Sequence, residues 1–134
     1  MMSFVSTLIF WAVAGFYAYG AVVHLMNIMG LGGFDWLNAP RKWQVLDVVY
    51  LILDVIVALG LVLALRLGLI AFFAAAVSQI VLYTLLRSWI IDVPAEFQRS
   101  PEEIGYLDLV GFHVVTIVLV GFALWWQRGD PGPV

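Results

Sequence analysis

The sequence predicts an all-α integral membrane protein, a four-helix up-down bundle forming one membrane domain over residues 1–134. Three observations predict it. The chain is 64% hydrophobic and 11% charged, with a mean hydropathy of +1.05, whereas soluble domains are about 45–50% apolar and 25% charged. Its apolar residues fall into four segments, each close to the roughly 20 residues that cross a bilayer. Each segment also carries polar residues at helical spacing, which hydrocarbon tolerates only where they face other protein.

The first span is expected over residues 4–29. Met1-Met2-Ser3-Phe4 lacks a basic n-region and the apolar run outlasts a cleavable signal, so this segment reads as a retained span. Gly30-Leu31-Gly32-Gly33 ends it, and Asn38-Ala39-Pro40 leads into the second span, residues 43–65. Only Arg66-Leu67 separates that span from the third, residues 68–91, so the two form an antiparallel hairpin. Asp92-Val93-Pro94 stops the third span, because proline disfavours helix in the residue before it. Ser100-Pro101-Glu102-Glu103 is a helix start, with Ser as cap, Pro at the first position and Glu at the third. The fourth span follows over residues 101–127. Trp36, Trp43, Trp89, Trp125 and Trp126 suit the aromatic belts at the membrane surfaces.

Four spans make this a multi-pass protein of the lipid bilayer with both termini on one side and the loops near residues 30–42 and 92–103 on the other. Arg41, Lys42 and Arg99 fall on the loop side, against Arg66 and Arg128 on the terminal side. That near balance gives the positive-inside rule little to act on. The scattered basic residues form no patch for nucleic acid. The absence of cysteine excludes disulfides, thiolate clusters and cysteine nucleophiles.

The polar stripes are Tyr17, His24 and Asn27 in the first span, and Gln44, Asp47 and Asp54 in the second. The third carries Gln79, Tyr83 and Arg87, and the fourth Tyr106, His113 and Thr116. Spacings of three, four and seven put each set on one helix face. At 1.5 Å rise per residue, Asp47 and Arg87 lie about 6 Å below the loop-side helix ends, His24 about 8 Å and Tyr83 about 12 Å. His113, Asp54 and Gln79 fall roughly 13–18 Å down. The expected ligand pocket is therefore lined by His24, Asp47, Asp54, Tyr83, Arg87 and His113. Arg87 is expected to pair with Asp47 or Asp54. His24 and His113, at similar depth on the first and last helices, are candidate metal or haem ligands. Gly20 and Ala21 allow close helix approach, and Gly60, Gly68, Gly111 and Gly121 offer further close-packing faces. Ser78 and Thr84 can bond back to their own helix.

Three uses of such a pocket stay open. His24 and His113 suit a b-type haem, or with Asp47 a divalent metal. Tyr, His and Arg can hydrogen-bond the carbonyls of a quinone or another hydrophobic small molecule, with Asp47 or Asp54 exchanging protons. In the third, the polar groups only lock the bundle of a non-catalytic accessory or assembly subunit, in a homo-oligomer or a larger membrane complex.

Gly20-Ala21-Val22-Val23-His24-Leu25, the glycine-rich turn, Asn38-Ala39-Pro40 and the small-residue-rich stretch from Asp47 to Arg66 resemble the DoxX-like group of small four-helix membrane proteins. The likeness covers about the first 70–85 residues and lies in layout and apolar pattern. It implies a membrane oxidoreductase-associated role, since the group includes a thiosulfate:quinone oxidoreductase subunit. The sterol-isomerase-like four-helix fold also places carboxylates in an intramembrane pocket. No catalytic motif of either family is matched, so no residue role is carried over.

Overall fold

In the computed structural model, residues 4–31, 33–99 and 105–129 are described; the expected helix start at residues 100–103 lies outside them. Among the described residues the chain is helical, without strands. The helices are α1 (Phe4–Ile28), α2 (Arg41–Val62), α3 (Arg66–Tyr83), the single-turn α4 (Arg87–Ile91) and α5 (Tyr106–Gly129), with a 3-10 turn at Ala95–Phe97. Four of them are long and apolar enough to cross a membrane. α1 packs on α2, α2 on α3, α3 on α5 and α5 on α1.

Helix ends are set by local chemistry. Gly30, at φ +67°, closes α1: Gly30 N–H donates to Asn27 O and Leu31 N–H to Met26 O. This is the Schellman arrangement, for which glycine's left-handed freedom is suited. α2 ends with the same hydrogen-bond pattern, from Ala64 N–H to Leu61 O and from Leu65 N–H to Gly60 O. Here the left-handed residue is Ala64, at φ +53°, the one described non-glycine with positive φ. A Cβ in this conformation is strained. Beside this turn Gly60 and Gly68 lie backbone against backbone: a Cβ on either would collide with the other's main chain.

The third predicted span is not one helix. α3 ends at Tyr83, and Thr84 to Leu86 break the helix before α4 begins. Thr84 Oγ1 donates to Ile80 O at 2.6 Å and Leu86 N–H reaches back to Val81 O at 3.0 Å. The chain then turns so that α2's first residues satisfy carbonyls at the end of α4. Lys42 Nζ donates to Trp89 O and Asp92 O, and Trp43 Nε1 donates to Ile90 O. Hydropathy alone could not register the break, because Leu85, Leu86, Trp89 and Ile91 keep the segment apolar.

The core is polarised along the bundle. Phe10, Val13 and Ala14 of α1, Val57 and Leu61 of α2, Phe72, Ala75 and Ala76 of α3, and Val120 and Ala123 of α5 pack as one buried apolar cluster. They occupy the half of each helix away from the 29–40 and 92–105 connections. The small side chains of α3 let the large ones of its neighbours interdigitate. Gly111 and Gly121, expected to offer close-packing faces, instead face open space.

Candidate functional site

The other half of the bundle holds the polar groups. α1 carries His24 and α2 carries Asp47 and Asp54 seven residues apart, two turns along one face. His24 Nδ1 donates to Asp47 Oδ1 at 2.7 Å. Asn27, one turn further along α1, donates from Nδ2 to the same oxygen at 3.3 Å. On the ring's opposite side, His24 Nε2 stands 3.9 Å from Asp54 Oδ2. The imidazole is thus held between two carboxylates. The Tyr50 ring lies nearly parallel to it, 6.0 Å between centroids. Tyr50 is itself fixed, its hydroxyl donating to Ser78 Oγ, which donates to Ala75 O.

Asp54 is only 3% exposed, and its Oδ1 has no hydrogen-bond partner. Its Oδ2 lies against Gly20, where an added Cβ would sit 2.5 Å from that oxygen. Glycine at this position is therefore what admits a carboxylate between α1 and α2. An ionised carboxylate so placed is costly unless a cation lies close, and His24 is the described titratable base within reach.

His24, Asn27 and Asp47 line a cavity of about 350 Å³. Its walls are Phe34, Trp43, Leu46, Tyr50, Leu82, Tyr83 and Ile90, and Tyr106 and Arg99 complete the lining. The size falls within the roughly 300–1,000 Å³ of small-molecule sites, and an apolar wall with few converging polar groups is their usual make-up. Tyr83 and Tyr106 pack ring to ring at 5.6 Å.

No protein-family model, curated protein or solved structure matches the chain.

The structure gathers some of the residues expected from sequence and separates others. His24, Asp47 and Tyr83 line the cavity, and Asp54 backs onto His24 from behind. Arg87 pairs with neither carboxylate. Because the helix breaks at Thr84, its side chain is exposed and lies over the Tyr106 ring, 4.5 Å from the centroid. His113 belongs to a second network: its Nε2 donates to Gln79 Oε1 at 2.9 Å, and the Tyr17 hydroxyl faces Nδ1 at 3.4 Å. With both nitrogens engaged and the ring 3% exposed, His113 does not fit bis-imidazole haem ligation beside His24. A metal held by His24, His113 and Asp47 fails likewise, since Asp47 already holds His24 Nδ1. Among the described residues no three His, Asp or Glu side chains are placed to share an ion. Thr116 donates to His113 O, and Gln44 caps the Trp36 and Leu37 carbonyls outside the cavity.

Sequence reasoning missed Tyr50, Phe34 and Arg99, and gave Trp43 only a belt role. Tyr50 was findable, since it is three residues from Asp47 and four from Asp54, on the same helix face. Phe34 and Arg99 lie in connections, where no periodicity points inward.

Proposed function

We propose that this is an integral membrane protein, its four long helices crossing the bilayer as an up-down bundle with both termini on one side. Its loop-side cavity binds a lipid-soluble small molecule with a hydrogen-bonding ring, of the quinone and quinol class. The observation that carries the reading is the His24 imidazole held between Asp47 and Asp54 in the lining of an aromatic-walled cavity. A bundle needing only to pack could use small residues and hydroxyls at far lower desolvation cost. Two carboxylates and an imidazole at one end of an otherwise apolar bundle instead offer a place to bind and to exchange protons with a ring oxygen. Flat aromatic walls at Tyr50, Tyr83 and Tyr106 suit a planar ring. The resemblance of the first 70–85 residues to the DoxX-like group, with its quinone-linked member, supports the same class.

The test is to purify the protein in mild detergent, extract what travels with it and identify the compounds by mass spectrometry. His24→Ala and Asp47→Ala are purified in parallel. A ring-bearing lipid retained by the wild type and lost by both variants, with α-helical content unchanged, supports the reading. A wild-type protein that carries no such compound and binds no added quinone or quinol overturns it, leaving an accessory role in a larger complex.

A further inference from the structure

Resting on that reading, the geometry points to a sharper specificity: we infer that the cavity selects the hydroxylated, reduced ring over the quinone. Free donors and acceptors are unevenly divided among the lining residues. His24 spends its Nδ1–H on Asp47 Oδ1, and its Nε2 faces Asp54. Asn27 spends an amide hydrogen on the same Asp47 oxygen, so its own carbonyl oxygen points elsewhere. Asp47 Oδ2 has no partner among the described residues. Around Asp47 the lining therefore presents two open acceptors, Asp47 Oδ2 and Asn27 Oδ1, against a single remaining Asn27 amide hydrogen.

The other polar lining has the opposite character. Arg99 has no ion-pair or hydrogen-bond partner among the described residues and carries only donors. The Tyr83 hydroxyl, also without a hydrogen-bond partner there, can donate as well. A ring oxygen placed against Asp47 Oδ2 must therefore bring a hydrogen, while one placed toward Arg99 and Tyr83 is best an acceptor. A quinone offers acceptors at both ends, and beside Asp47 Oδ2 its carbonyl lone pairs would meet a carboxylate. A quinol or other para-substituted phenol donates to Asp47 Oδ2 and accepts at its far oxygen. Hydrogen bonds to ionised groups are the stronger kind, and a buried acceptor left unmatched weakens binding.

The experiment is anaerobic calorimetric titration of the full-length protein in detergent with a short-chain 1,4-benzoquinone and, separately, with its quinol. The quinol is expected to bind about tenfold tighter or more, the value of one hydrogen bond to a charged group. In Asp47→Asn, which replaces an acceptor-only group by one that can donate, the preference should fall to about twofold or reverse. If quinone binds the wild type as tightly as quinol, or tighter, the inference is overturned while the binding site stands. If neither binds, both this inference and the proposed function fail. The wild-type comparison decides the matter even should Asp47→Asn not fold.

Discussion

Replacing Gly20 by alanine tests the feature on which the site depends, the lodging of Asp54 between α1 and α2. The new Cβ would stand 2.5 Å from Asp54 Oδ2 and 3.4 Å from its Cγ. Ordinary contact begins near 3.4 Å, so the oxygen must retreat by about 0.9 Å in surroundings that leave Asp54 3% exposed. Overpacking of this kind costs about 1–3 kcal/mol. Alanine's better helix propensity returns up to about 1 kcal/mol, so Gly20→Ala should lower stability by about 0–2 kcal/mol. In an Asp54→Ala background the obstructing carboxylate is gone, and the same change should be neutral or stabilising by up to about 1 kcal/mol. The two substitutions are thus coupled by roughly 1–3 kcal/mol, measurable by a double-mutant cycle of reversible denaturation in mixed micelles followed by tryptophan fluorescence. Additivity within about 0.5 kcal/mol would refute the reasoning. It would mean that Asp54 does not rest against Gly20, and the placing of His24 between two carboxylates would lose its support.

Three further outcomes are expected. Ala64→Gly relieves the left-handed strain at the end of α2 and should raise stability by about 1 kcal/mol, read as a higher melting temperature in the same detergent. Gly60→Ala drives a methyl into the Gly68 backbone, which cannot yield as a side chain can, and should cost about 2 kcal/mol or more; Gly111→Ala meets open space and should be neutral or mildly stabilising. Thermal melting of the pair checks the contrast, and equal shifts would contradict it. Gln79→Leu leaves the buried His113 Nε2–H without its acceptor, at a cost of about 1–3 kcal/mol. Adding His113→Phe should recover most of that loss with ligand binding unchanged, as a purely architectural pair requires.

The four long helices were legible because hydropathy and helical period act along the chain, and α1 follows its predicted limits to within a residue. The His24–Asp47 and His24–Asp54 approaches were within reach for the same reason: the stripes on α1 and α2 fix faces and depths, and two adjacent helices leave few ways to match them. What failed depended on events of a few atoms. The break after Tyr83 is accompanied by a hydroxyl bonding Ile80 O four residues back and by Lys42 and Trp43 holding α4 on α2, the latter contacts spanning more than 40 residues of chain. That break carried Arg87 away from the carboxylates. His113 was set apart from His24 by its partners Gln79 and Tyr17, which belong to the same stripes. A stripe specifies a face but not which polar group on it is already engaged. Arg99 and Phe34 reach the cavity from connections, where the sequence has no period to read.

On the proposed membrane topology, the apolar cluster that fills the far half of the bundle also bears on energetics across the bilayer. A unit charge carried through the whole bilayer works against about 2.3 kcal/mol per 100 mV. Asp47 lies six residues into α2, about 9 Å from its Arg41 end, less than a third of a roughly 30 Å hydrocarbon thickness. Beyond it, Phe10, Val13, Phe72 and Val120 close the way to the opposite face. In that topology a proton reaching Asp47 from the loop side would cross only a small part of the field and would meet the apolar cluster beyond it. The chemistry of this cavity would then proceed at nearly the same rate in an energised and a depolarised membrane, and would neither draw on the voltage nor contribute to it.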